Sequence, residues 1–281
     1  MPYVMREVIA GAIREVKKCW TGRVHPKGAT RSAQTGTTSE AQAKVNDRKA
    51  EERLRWIINA NFVYADLHLV LHYYSKETSV EQAEADKAAF LKALRKWCRK
   101  NDMPWKYVAV TEKASKMHHH LILPPVPAEV LQTIWEEVLQ GRMGNISIKP
   151  LDRRGNHAKL ASYLIKQSRS MAAYWAAQGK RHKRYSVAKG MTVPEPTYKI
   201  IAANRWAEEP KPRKGWVLLK DEDGNTCRTG IHEVTGYPWQ EYFELRVDLT
   251  LETDTKASSV SRAKQKSGRS FRGACPRKDH G

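Results

Sequence analysis

Between Ala65 and Ser168 the apolar residues switch repeatedly between a two-residue and a 3.6-residue period, and that alternation limits the possible folds more than any other feature. Ala65 to Tyr74 (ADLHLVLHYY) sets Leu67, Leu69, Leu71 and Tyr73 on one face, the pattern of a half-buried strand. Ser79 to Lys100 follows as an amphipathic helix with Ala83, Ala89, Phe90, Leu91, Leu94 and Trp97 on its inner side. Trp105 to Thr111 and His118 to Leu123 read as two strands of a hairpin, joined through the polar residues Lys113 to Lys116. A helix from Ala128 to Gln140, a strand from Asn145 to Lys149 and a helix from about His157 to Ser168 complete the series. The order βαββαβ predicts an α+β fold: a ferredoxin-like or RRM-like antiparallel sheet with helices on one face.

The flanks are read with less pattern to go on. Val4, Val8, Ile9, Ala12, Ile13 and Val16 are taken at helical spacing, and a second helix is expected from about Ser39 to Ile58 behind a Ser-Glu-Ala-Gln capping pattern. Residues 1–61 are therefore expected to be an N-terminal helical extension, with Thr21 to Thr38 as a Gly/Thr/Ser-rich loop. Thr197 to Trp206 reads as a further strand. Residues 207–255 read as a small C-terminal hairpin region whose turn is Asp221 to Asn225, and residues 256–281 as a basic disordered tail.

Charge narrows the partner. The chain of 281 residues carries 50 Lys and Arg against 30 Asp and Glu, a net +20. From Asp152 to Gly190 there are ten basic residues and one acid, and from Lys256 to Gly281 eight and one. Concentrated cationic charge points to a polyanion such as nucleic acid. Cys19, Cys98, Cys227 and Cys275 show no pair spacing, which argues against a disulfide framework or a cysteine zinc site and for a reducing, cytoplasmic setting. No apolar run approaches the roughly 18 to 20 residues that span a bilayer, so no membrane partner is expected.

The chemistry is expected around His118, His119 and His120. On a strand, His118 and His120 share one face and His119 points away. Glu112, across the hairpin, is placed to add a carboxylate, and a His, His, Glu set leaves coordination positions open, as Mn²⁺ or Mg²⁺ chemistry on phosphate requires. Taken alone, the triplet fits a solvated or core-satisfied run as well, and imidazole donors admit zinc. On the last helix Tyr163 stands between Lys159 and Lys166 on the polar side, where flanking cations stabilise a phenolate nucleophile. A lone tyrosine there would be an ordinary amphipathic surface residue.

Together these segments resemble the HUH endonucleases, specifically the rolling-circle replication initiators of small phages, plasmids and single-stranded DNA viruses. The likeness spans about residues 62–206. LHLVLHYY stands in the place of the first family motif, VAVTEKASKMHHHLIL in that of the second, and ASYLIKQS in that of the third, Tyr-x-x-Lys on a helix. The resemblance implies an HUH catalytic domain over 62–206 in which Glu112, His118 and His120 hold a divalent Mn²⁺ or Mg²⁺, Tyr163 is the nucleophile and Lys166 its basic companion. His72 and His119 are unusual occupants of their motif positions. Position 167, one turn after Tyr163, is Gln, which matches the single-tyrosine class. The tyrosine follows the histidines, unlike the order in relaxases.

The implied activity is nicking and rejoining of single-stranded or hairpin origin DNA through a 5′-phosphotyrosine. Lys159, Arg169, Arg181, Lys183 and Arg184 are expected as DNA contacts, and Tyr174 and Tyr185 as fallback nucleophiles. No glycine-rich phosphate loop occurs, so helicase, polymerase and single-strand-binding protein would come from a bacterial host. The alternatives are a single-tyrosine transposase of the same chemistry and a non-catalytic nucleic-acid-binding module. The latter should expose aromatics on its central strands and need no metal.

Overall fold

The structure, a computed structural model, describes residues 3–21, 40–153, 155–180, 182–202, 206–233 and 236–247. Most of the Thr21 to Thr38 loop and all of the 256–281 tail lie outside the described residues, as does Arg181. In chain order the elements are β1 (Tyr3–Ala10), β2 (Ile13–Trp20), α1 (Glu40–Asn61), β3 (Leu67–Tyr73), α2 (Val80–Lys100), β4 (Val108–Lys113), β5 (Met117–Leu123), α3 (Ala128–Leu139), β6 (Gly144–Pro150), α4 (Ala158–Ala177), β7 (Ser186–Val187), β8 (Thr197–Ile201), β9 (Trp216–Leu218), β10 (Cys227–Ile231) and β11 (Pro238–Arg246). No helix among them is long and apolar enough to cross a membrane. Cys19, Cys98 and Cys227 are free thiols.

The central sheet runs β6-β3-β5-β4-β7 with every pair antiparallel. The two strands nearest its middle, β3 and β5, are not neighbours in sequence, as the split βαββαβ arrangement requires. Its alternation decides what each face carries. Leu69, Leu71, Tyr73, Ala109, Met117, Leu121 and Leu123 join Phe90 and Leu94 of α2 and Leu131, Trp135 and Leu139 of α3 in the main core. Ser79 caps α2, its hydroxyl accepting from the Gln82 amide.

The expectation of helices on one face holds for α2 and α3 only. On the opposite face Val108, Val110 and Ile122 form a second core with Leu54, Ile57 and Ile58 of α1 and Ala161, Leu164 and Ile165 of α4. The sheet alternation is apolar on both sides at that end, so both sides must be covered.

Residues 3–20 correct the sequence reading outright. They form a β-hairpin, not a helix, closed by the two-residue turn Gly11-Ala12 with Gly11 at φ +60°. A positive φ at the first turn position is what a glycine supplies in a tight hairpin. The hairpin joins a second antiparallel sheet, β10-β11-β2-β1-β8, with β9 also on β11. The C-terminal strands thus pair with the N-terminal ones rather than forming a hairpin region apart. Asp221 to Asn225 is a turn, with the Asp221 carboxylate accepting from the amides of Asp223 and Asn225, but it links β9 to β10, both of which pair with β11. The expected strand at Thr197 ends at Ile201, not Trp206.

Helix α1 connects the two sheets. One side of it enters the second core, while Arg55 and Trp56 donate to Glu15 of β2 at 2.6 and 2.8 Å.

Candidate active site

Register builds the site. Glu112 of β4 pairs with His118 of β5, and His118 pairs with His72 of β3, so three donor side chains lie in one row across adjacent strands. One row along, His120 lies between Val110 and Val70, and in the next Ile122 lies between Val108 and His68. All project from the face shared with α4, because strand side chains alternate with a period of two. His120 Nε2 stands 3.1 Å from Glu112 Oε2, and His118 Nδ1 stands 3.9 Å from the same oxygen. The rings of His72 and His118 are edge to face at 5.0 Å, and those of His68 and His120 are nearly parallel at 5.7 Å.

Helix α4 brings the phenol. Burial of Ala161, Leu164, Ile165, Ser168 and Met171 fixes its rotation and leaves Tyr163 on the flank that overlooks the histidines. The Tyr163 ring centre is 5.4 Å from that of His120 and 6.3 Å from that of His68, with 40% of the residue open to solvent. Two turns on, Ser170 accepts a 2.9 Å hydrogen bond from the amide of Lys113, which ties α4 to the strand end that carries Glu112. Lys166 is exposed one turn after Tyr163. The fallback tyrosines lie elsewhere. The Tyr174 hydroxyl donates to Glu81 at 3.1 Å, and Tyr185, packed against the second core, has its pKa raised by burial.

Burial sets the electrostatics. It pushes the pKa of His68 and His120 down to about 4, with neighbouring imidazoles adding to the effect. His118 and His72 are lowered from the usual imidazole value by the same cause, and the Glu112 carboxyl is raised by burial against an opposing pull from His118. The imidazoles are therefore neutral at pH 7, the state in which a ring nitrogen can donate a lone pair. Buried Nδ1 of His118 and of His120, and Nε2 of His68, have no hydrogen-bond partner. Of these, His118 Nδ1 lies beside the Glu112 carboxylate, and an orphaned nitrogen on a neutral ring there fits a divalent cation.

The donor atoms nevertheless stand wider apart than round a bound ion. Among the described residues only Glu15, Glu52 and Glu241 bring three donor atoms within 4.8 Å of one another. That acidic trio is already neutralised by Arg6, Arg55 and Lys17, so it is a structural network on the second sheet.

His119 points into the main core, as its middle position demands. It is fully buried, 3.2 Å from the Tyr73 hydroxyl and 3.1 Å from Thr111 Oγ1. Tyr73 in turn donates to Asp86, which Arg142 holds at 2.7 and 2.8 Å. Behind the histidine strand, then, a satisfied polar network pins the pleat that sends His118 and His120 the other way.

The basic residues expected to touch DNA are mostly engaged. Arg169 pairs with Asp47 of α1 at 2.9 Å, Arg184 pairs with the same carboxylate, and Lys159 pairs with Glu222. Lys183 is exposed. Sequence reasoning passed over His68 and made His72 only an odd occupant of its motif. The signal was present in LHLVLHYY, where His68, Val70 and His72 are the outward phase of a strand whose leucines were read for the inward one.

Residues 66–177 match the family model described as Replication-associated protein ORF2/G2P. The matched stretch begins one residue before β3 and ends with α4, so it contains every side chain of the row and Tyr163. The likeness belongs to this stretch, which is less than half of the 281-residue chain. Comparison with curated proteins and with solved structures returned no match.

Proposed function

We propose that this chain, with its replication-associated domain at residues 66–177, nicks and rejoins single-stranded DNA at an origin through a phosphotyrosine intermediate. One observation carries the reading: the Tyr163 ring lies 5.4 Å from that of His120, whose Nε2 is 3.1 Å from Glu112. A phenol partly open to solvent thus stands beside a carboxylate and imidazole donor set. The Tyr163 oxygen attacks the scissile phosphorus, forming the Tyr–O–P bond as the P–O3′ bond breaks and freeing a 3′-OH to prime synthesis. In reverse, a 3′-OH displaces the phenolate and reseals the strand without ATP. Lys166, exposed one turn from Tyr163, balances the phenolate or returns a proton to the leaving oxygen.

Glu112, His118 and His120 are the residues that would hold a divalent ion, Mn²⁺ or Mg²⁺, which when bound supplies positive charge to the scissile phosphate. Lys183 and Lys166 offer phosphate contacts. Arg169 and Arg184 reach DNA only after leaving Asp47. The outward face of the central strands carries His68, Val70, His72, His118 and His120 rather than a set of exposed aromatic rings, which disfavours a purely stacking RNA- or DNA-binding module. A cytoplasmic, bacterial-host setting with borrowed helicase, polymerase and single-strand-binding protein completes the proposal.

The test is a denaturing gel and peptide mass spectrometry after incubation with labelled single-stranded origin DNA and Mn²⁺. The expected result is a DNA adduct on the peptide containing Tyr163, absent in Tyr163→Phe and suppressed by chelator. Cleavage that survives Tyr163→Phe would assign the nucleophile to another residue.

A further inference from the structure

The first strand contributes more to this site than its leucines. His72 is the direct cross-strand partner of His118, just as Glu112 is on the other side, so His118 sits between two donor side chains in one row. The His72 and His118 ring centres are 5.0 Å apart. Two imidazoles that share an ion through metal–nitrogen bonds of about 2.1 Å hold their ring centres roughly 4.5–5.5 Å apart. Their planes meet edge to face at 81°. His72 is also prepared for the role on its far side, since Nε2 is 3.0 Å from Ser147 Oγ of β6. A second partner on the other ring nitrogen is the usual arrangement for a ligating histidine, because it fixes tautomer and orientation. His68 is the weaker candidate: its ring centre stands 5.7 Å from that of His120, outside that range.

We propose that His72 is a fourth donor to the cation held by Glu112, His118 and His120, and that the resulting three-imidazole, one-carboxylate set selects a transition ion such as Mn²⁺ or Co²⁺ over Mg²⁺. This rests on the metal reading given above. The selectivity follows from donor type, since affinity for nitrogen donors rises along the first-row series from Mn²⁺ to Co²⁺, while Mg²⁺ prefers oxygen ligands and bound water.

The experiment is calorimetric titration of the metal-free full chain with MnCl₂, CoCl₂ and MgCl₂, with the visible spectrum of the Co²⁺ form as a second readout. The variants are His72→Ala, Ser147→Ala and His120→Ala. The expected result is that His72→Ala binds Mn²⁺ and Co²⁺ at least about tenfold more weakly, alters the Co²⁺ spectrum and narrows the Co²⁺/Mg²⁺ affinity ratio. Ser147→Ala, which keeps the ring and removes its anchor, should weaken binding by a smaller factor. It decides the matter if His72→Ala does not fold. Unchanged affinity and spectrum in His72→Ala or, failing its folding, in Ser147→Ala, alongside lost binding in His120→Ala, would remove His72 from the ligand set and leave the three-residue site intact. Binding that His120→Ala also leaves unchanged, or no uptake by the wild-type chain, would instead overturn the metal site itself, and His72 with it.

Discussion

His120 keeps only 3% of its surface in solvent, and burial first, then His118 and His72, brings its pKa to about 4 against 6.5 for a free imidazole. A depressed folded-state pKa means that the unfolded chain takes up a proton that the folded one refuses. The associated stability is complete above about pH 6.5 and is lost as pH falls toward 4. Between pH 7.5 and 5.0 this one ring should cost about 2 kcal/mol. Urea denaturation in chelator at the two pH values measures it, and His120→Gln should flatten the difference by a comparable amount. An unaltered difference in the variant would assign the pH dependence to other groups. His120 and Glu112 were named from sequence because the triplet and the hairpin spacing are local. His68 and His72 were not recruited, because only the pairing of β3 with β5 puts them beside the triplet.

At the scale of elements, two glycines mark where the backbone leaves no room. Gly144 opens β6 directly opposite Tyr73, and a Cβ there would stand 2.4 Å from the His72 carbonyl oxygen and 2.7 Å from Leu139 Cδ1. Backbone cannot yield as a flexible side chain does, so Gly144→Ala should displace β6 from β3 and destabilise the protein by about 1–3 kcal/mol. Thermal melting reads that loss, and a stability equal to wild type would show that β6 has slack. Gly11 has both a positive φ and a Cβ position 2.1 Å from the Asn59 carbonyl oxygen, so the first hairpin closes hard against α1. That turn explains why the helical reading of residues 4–16 failed. Val4, Val8 and Ile9 fit a 3.6-residue period by chance, while Gly11 at the midpoint of two eight-residue strands was the informative signal. The elements from β3 to α4 were legible because each is long and strongly periodic.

For the whole molecule, the decisive contacts join the two ends of the chain. Arg14 of β2 reaches Glu244 of β11 at 2.7 Å and Glu7 at 2.8 Å, and Glu244 is completely buried. Arg14→Met should strand that carboxylate and cost about 3–5 kcal/mol, whereas Arg14→Met with Glu244→Leu should recover most of the loss. Denaturant unfolding of the single and double variants gives the comparison; an Arg14→Met chain as stable as wild type would mean that the Arg14–Glu244 pair contributes little to the fold. The same scale accounts for the arginines. Arg169 and Arg184 stand in a strongly basic stretch of sequence, yet Asp47 on α1 draws both into ion pairs.

What the sequence determined alone was the order of elements through the matched domain, the outward histidine pair, Glu112 and the helical face of Tyr163. Each is set by steric rules that act within a few residues. What only the tertiary structure decided was partnership: His72 beside His118, the N-terminal hairpin beside β11, α1 and α4 on the second face, and Asp47 between two arginines. Partners across such distances are chosen by the burial and charge pairing of the assembled fold, and no local pattern in the chain records them.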